Sequence, residues 1–368
     1  MDMKALPRVE GAEVVLPARD LDATVKFFTE RLGFRLDAIF PADDPATALV
    51  SGHGLRLRLD RGAAPAQATL RLLARDPAAT RDGGTELGAP GGTRVVLAAA
   101  DPPLELPPLR PTFAVQKMHG GGGWGVGRAG MLYRDLIPDR QNGRFIASHI
   151  RIPEGGPVPD YVHFHKIRFQ MIYCYKGWVR LVYEDQGPPF VMRAGDCVLQ
   201  PPEIRHRVLE SSAGLEVIEI GSPAQHMTCV DHDLPLPSAA LDPARSFGGQ
   251  RFVHHAAAGA EWRPWRLAGF AARDTGIGAA TGRLAGVNVA RRVGEPAGTA
   301  MRHDGEFLFL FVLAGAAVLN AATHGSQRLA VGDAVTIPAG LAHALVECSA
   351  DLELLEVSLP AELGARGV

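Results

Sequence analysis

His163 and His165 stand one residue apart in the stretch HFHKIRFQ, which Gln170 closes, and His206 follows further along the chain. If the stretch is a β-strand, side chains alternate between faces and the two imidazoles share one of them. Neutral imidazoles suit Fe, Mn, Ni, Zn or Cu, so histidines aimed at one point make a candidate metal site. The competing reading is a set of buried histidines with ordinary hydrogen bonds. Two histidines on one strand face raise the metal reading, which the rest of the chain must support. Gln170 is the odd member. An amide oxygen brings no charge, so a bound dication would keep its full positive charge, a stronger Lewis acid and a poorer support for high oxidation states.

The elements that must position these groups are visible as a repeat. The segment GWVRLVYEDQGPPFVMRAGDCVLQPPEIRHRVLESSAGLEVIEIGSP aligns with GAAVLNAATHGSQRLAVGDAVTIPAGLAHALVECSADLELLEVSLP. Gly195 matches Gly332, His206 matches His343 and Pro223 matches Pro360, each offset by 137. Gly177 matches Gly315 and His165 matches His303 at an offset of 138, so one insertion separates the two groups. Short runs of alternating apolar and polar residues, cut by Gly, Pro and Asp, predict a small antiparallel β-barrel or jelly roll in each copy. In the second copy the four positions read Met301, His303, Leu308 and His343. Two donors are gone. Asp304 and Glu306 lie in the same loop but off the matched position, so this copy is expected to be structural.

These residues resemble the cupin superfamily, whose motifs are G-x5-H-x-H-x3,4-E-x6-G and G-x5-P-x-G-x2-H-x3-N. The first copy reads His163-x-His165-x4-Gln170-x6-Gly177 and then Gly195-x5-Pro201-x4-His206, and the resemblance spans about 230 residues in two copies. It implies a mainly β fold with two tandem jelly-roll barrels. It also implies that His163, His165, Gln170 and His206 converge on one divalent transition metal (Fe, Mn, Ni or Zn). Some cupins that isomerise or linearise sugars carry Gln at this place, and some dioxygenases manage with three histidines. An oxalate-decarboxylase reading expects Glu in both barrels and is weakened here.

Ahead of the barrels, EVVLPA predicts a strand, Asp20 a helix N-cap, and Leu21, Val25, Phe28 and Leu32 a helical stripe closed by Gly33. Strand-like runs follow at 34–40, 55–59 and 69–73. This βαβββ order, with ARDLDATVKFFTERLGFRL, resembles one module of the glyoxalase/bleomycin-resistance (vicinal oxygen chelate) family. Glu13 occupies that family's usual first-ligand position, but the last strands offer Arg56, Arg58 and Asp60, which implies a non-catalytic module. The expected organisation is therefore a module at 1–75, a Pro- and Gly-rich connector at 76–130, a first barrel with the metal site at 131–235 and a second, eroded barrel at 236–368. Gly125 to Gly130 formally match GxGxxG but follow a glycine run instead of a strand, so a dinucleotide site fails its context.

Inside the first barrel, an inward Gln170 sends Ile172 and Cys174 inward and Tyr173 and Tyr175 outward. Glu219, on LEVIEIG, is the candidate general base or orienter of a histidine, although its mate Glu356 in the eroded copy also suits a structural role. Arg168 and Tyr161 flank the histidines and are candidates to meet an acidic substrate.

The chain has 368 residues and a formal net charge of −2, with Lys and Arg scattered, so nothing draws nucleic acid or an anionic membrane. The longest apolar run, 307–319, is short of the ~20 residues that span a bilayer. The N-terminus lacks a secretory pattern, and Cys174, Cys197, Cys229 and Cys348 form no CxxC pair. A cytoplasmic protein with reduced thiols is expected. So is a homodimer, because a lone βαβββ module leaves an open sheet edge and shows Phe27, Phe28 and Phe34. The functional expectation is a metal-dependent, dioxygenase-type oxidoreductase acting on a small oxygenated molecule. The alternatives are a cupin isomerase or lyase, and a non-catalytic small-molecule-binding bicupin.

Overall fold

The computed structural model describes residues 9–31, 33–52, 54–63, 69–78, 85–88, 94–120 and 123–367. They form two units. The first runs to Glu105 and takes in His163–Lys166 and Gln225–His232. Its helix, Leu21–Lys26, starts where the sequence places it: Asp20 Oδ1 accepts from the Ala23 N–H at 2.9 Å. Leu21, Val25 and Phe28 pack on Ala48, Val50, Leu57 and Leu59 of the sheet beneath. Leu32, the end of the expected stripe, lies outside the described residues.

The sheet runs in the order Arg35–Phe40, Thr47–Gly52, Leu55–Asp60, Val9–Pro17, Thr69–Ala74, Arg94–Ala99, Glu86–Gly88. Val9–Pro17 is parallel to Leu55–Asp60 and antiparallel to Thr69–Ala74. Thr47–Gly52 (TALVSG) is a strand that sequence reading missed, since its residues do not alternate cleanly. With it counted, the βαβββ order closes at Asp60. The sheet then continues through Arg94–Ala99, parallel to Thr69–Ala74, inside the stretch read as connector. Met227–Val230 pairs with Arg35–Phe40 on one side and with His163–Lys166 on the other.

The second unit holds two equivalent seven-stranded sheets. One is ordered Val253–His255, Cys197–Leu199, Phe169–Lys176, Leu215–Ser222, Ile146–Ile152, Leu132–Asp135, Gly125–Val126. Its mate is ordered Ala114–Gln116, Ala334–Thr336, Phe307–Ala314, Glu353–Leu359, Gly286–Arg292, Phe270–Asp274, Arg263–Pro264. The end strands are exchanged. Ala114–Gln116, which precedes the first barrel in sequence, pairs with Ala334–Thr336 of the second, while Val253–His255 pairs with Cys197–Leu199 of the first. The proline-rich stretch thus ends in a hydrogen-bonded edge strand instead of a free linker.

The two sheets face each other across a shared apolar core. Phe145, Phe169, Met171, Tyr173, Ile218 and Ile220 meet Val287, Phe307, Phe309, Phe311, Leu355 and Val357 there, with the Phe145 and Phe307 rings stacked at 4.1 Å. This explains FLFLFVL. Phe307, Phe309 and Phe311 point to the shared core while Leu308, Leu310 and Val312 fill the second barrel, so the strand is apolar on both faces. Tyr173 faces away from the first barrel's interior as alternation requires, but into this core, where it is buried. Two arginines bridge the barrels reciprocally. Arg134 Nη2 donates to Gly332 O at 2.7 Å, and Arg273 Nη2 donates to Gly195 O at 3.0 Å. Both glycines sit at positive φ (84° and 95°), a turn conformation that leaves the carbonyl within reach and disfavours a side chain. No helix among the described residues is long and apolar enough to cross a membrane.

Candidate metal centre

His163 and His165 lie on His163–Lys166, where the burial pattern alternates and both imidazoles fall on the buried face. Each of His163, His165 and His206 offers a ring nitrogen, and these atoms all lie within 4.8 Å of one another. It is the one such group of three among the described residues. The His163 and His165 rings meet edge to face at 5.2 Å. Thr228 Oγ1 contacts His165 Nδ1 at 3.0 Å and holds that ring. His206 Nδ1 lies 3.0 Å from Ile204 O, a carbonyl that can only accept, so the proton sits on Nδ1 and the lone pair on Nε2. Burial pushes the His206 pKa down to about 4, which keeps the ring neutral and a competent donor. Three imidazoles with ring nitrogens this close fit a divalent transition metal.

Gln170 is buried on Phe169–Lys176, and its Nε2 donates to Glu219 Oε1 at 2.6 Å. The Glu219 carboxylate, the candidate base or histidine orienter, also holds the Gln170 amide. Gln170 Oε1 is buried with no hydrogen-bond partner among the described residues. Ile172 and Cys174 point inward with Leu181, Tyr183 and Val208, as alternation requires. Burial pushes the Cys174 thiol up to about 12, so it is a small apolar residue here and not a thiolate.

Three interior residues went unnoticed in the sequence. Tyr183 pairs across the sheet with His206, its ring stacked at 5.4 Å, and burial raises its phenol so that it stays a donor. The backbone N–H of Gln200 donates to Gln170 O at 2.9 Å, and its side chain is buried. His226 is buried with its ring 5.3 Å from His165. Tyr183 was detectable as the last residue of the apolar run WVRLVY; an isolated histidine such as His226 gives no spacing signal. Arg168 and Tyr161 are already engaged. Arg168 donates twice to Glu306 Oε2 and once to Oε1 at 3.0–3.2 Å, and Arg144 Nε adds a bond of 2.7 Å. Tyr161 lies under the Arg128 guanidinium, which pairs with Asp160. Glu306 therefore braces the first barrel instead of completing a site in the second.

No protein-family model matches the chain, and no curated protein matches it. Among solved structures, salicylate 1,2-dioxygenase from Pseudaminobacter salicylatoxidans is similar over 71% of this chain and 90% of that one, at 14% identity and a TM-score of 0.52. Oxalate decarboxylase from Bacillus subtilis, in a structure at pH 4.6, is similar over 65% of this chain and 74% of that one, at 13% identity and a TM-score of 0.46. A further structure of that enzyme, from work on its Mn(II) centres, gives 65%, 74%, 13% and 0.47. The fold is that of a bicupin.

The second barrel keeps two of the four matched residues, His303 and His343, with Met301 and Leu308 at the other two. His303 Nε2 lies 2.9 Å from Ile337 O and must donate to it, while His303 Nδ1 accepts from the Gly305 N–H at 3.2 Å. Both ring nitrogens are spent. His343 Nδ1 donates to Leu341 O at 2.9 Å, as its mate does to Ile204 O. The barrel also holds a guanidinium: Arg266 Nη2 pairs with the buried Glu356, and Nη1 lies 3.9 Å from Met301 Sδ. Burial lowers the pKa of His303 and His343, and the Arg266 charge adds to that effect.

Proposed function

We infer that the chain is a metal-dependent cupin enzyme, most simply of the dioxygenase type, which acts on a small oxygenated organic molecule in its first barrel. The observation that carries this is the buried group of His163, His165 and His206 with ligand atoms within 4.8 Å. A divalent metal held there would supply a Lewis acid able to polarise an oxygenated substrate. His163, His165 and His206 are its ligands in this reading, with Gln170 Oε1 as the fourth donor. Tyr183, kept protonated by burial, has a hydroxyl to donate toward a bound oxyanion. Ile172, Cys174, Leu181 and Val208 line an apolar interior that excludes water.

A fold hosts many reactions, so the similarity to a salicylate 1,2-dioxygenase guides the choice of substrates only. Elemental analysis of the purified protein, expected to give about one metal per chain, comes first. Oxygen uptake is then measured with catechols, salicylate, β-diketones and keto acids. Turnover that consumes no O₂ favours the isomerase or lyase alternative, which the neutral Gln170 supports. Saturable binding without turnover favours the binding-protein alternative.

The first unit supports a non-catalytic, glyoxalase-like role, because Glu13 is buried with Arg56 Nε at 3.1 Å and Arg71 Nη1 at 3.0 Å on its two oxygens. Assembly as a homodimer through residues 1–75 is the companion reading. Light scattering of the full chain tests it, and a monomer ends it.

A further inference from the structure

Strand register makes Gln170 and Glu219 diagonal neighbours. Gln170 stands opposite Gly221 and Ile172 opposite Glu219, so both side chains leave the same face as Ile172, toward the barrel interior. Their contact fixes which way round the amide sits. A carboxylate only accepts, so the end of Gln170 that touches Glu219 at 2.6 Å is the NH₂ group and the other end is the carbonyl oxygen. That oxygen is the buried Oε1 that no described hydrogen bond satisfies. A buried acceptor without a partner is costly, about 1–3 kcal/mol. A cation is the partner that would relieve it.

We propose that Glu219 is a positioning residue that makes Gln170 a ligand, and that the two act together as the anionic member of the ligand set. The inference rests on the reading that the three histidines hold a metal. Glu219 does so in two ways. Its hydrogen bond stops the amide from turning over and presenting NH₂ to a cation. Its negative charge, set behind the N–H, polarises the amide and raises the electron density on Oε1. The first barrel thereby keeps one negative charge close to the metal while its fourth donor atom stays neutral. Glu356, at the matching place in the second barrel, has Leu308 where Glu219 has Gln170, and its charge is taken by Arg266 instead.

The test is metal affinity, read by competition with a chelator for Mn(II) and for Zn(II), together with the Mn(II) EPR line shape; neither depends on turnover. E219Q is expected to weaken binding about 10- to 100-fold and to change the EPR line shape, because either amide can then turn. The swapped variant Q170E/E219Q, which keeps one carboxylate and one amide in contact, is expected to bind within about threefold of wild type. Should E219Q not fold, E219D carries the test: it keeps the charge but withdraws the contact, and is expected to lose about tenfold. Unchanged affinity and line shape in E219Q or E219D, alongside metal loss in H163A/H165A, overturn the role of Glu219 while leaving the site standing. Unchanged affinity in H163A/H165A as well overturns the metal reading itself, and this inference with it.

Discussion

Glu219 and Glu356 hold equivalent places in the two barrels, opposite Ile172 and Leu310 respectively, yet one meets an amide and the other a guanidinium. Around them the interiors diverge in a consistent direction. Register pairs Tyr183 with His206 in the first barrel and Ala321 with His343 in the second. The backbone bond from Gln200 to Gln170 recurs as one from Ile337 to Leu308. Gln170, Tyr183 and Gln200 of the first barrel are matched by the apolar Leu308, Ala321 and Ile337 of the second, while two histidines and both carboxylates are kept. A buried carboxylate needs a positive or hydrogen-bonding partner, and in the second barrel Arg266 supplies it from within the chain.

The comparison breaks most visibly in metal content. H163A/H165A is expected to take the protein from about one bound transition metal per chain to none, whereas H303A/H343A leaves the content unchanged by elemental analysis. Equal loss from the two double changes would mean that both barrels bind metal.

The next effect is on stability. R266M strands the carboxylate of Glu356, whose side chain is 3% exposed, and is expected to destabilise the fold by about 3–5 kcal/mol. R266M/E356L, which removes both charges, should recover most of that loss in denaturant unfolding. If R266M alone is neutral, Arg266 is not the partner that Glu356 needs.

The smallest effect distinguishes the histidines by pH. An unfolded chain protonates His206 near pH 6.5, but the folded, metal-free protein does so only near 4, because burial disfavours the charged ring. Stability is then full above pH 6.5 and falls as the pH drops from 6.5 to 4, by ~3 kcal/mol from this residue. His303 and His343 shift in the same direction. H206Q in the metal-free protein should therefore lower the slope of stability against pH over this window by about one proton, without abolishing it. An unchanged slope would place His206 in contact with water.

Much of this was legible in the sequence, and for stated reasons. Period-2 alternation put His163 with His165, and Gln170 with Ile172 and Cys174, on common faces. The repeat located His206 and exposed the loss at Met301 and Leu308, because matched turns at Gly195 and Gly332 keep the strands in register. The Asp20 cap was readable because capping is a local interaction. Thr47–Gly52 was not, since its strand state comes from neighbours on both sides and not from its own pattern. The exchange of Ala114–Gln116 and Val253–His255 between barrels was equally hidden, as edge pairing over long separations leaves no periodic mark.

What the sequence determined by itself was the pair of β-barrels, the three histidines of one copy and the incomplete set in the other, because these follow from residue type and spacing along the chain. Only the tertiary structure decided what each polar group touches. It put Glu219 against the Gln170 amide, Arg168 against Glu306, Glu13 against Arg56 and Arg71, and Arg266 against Glu356. The physical reason is that a hydrogen bond or ion pair is chosen by distance and burial in three dimensions, where residues 49 and 138 positions apart become neighbours.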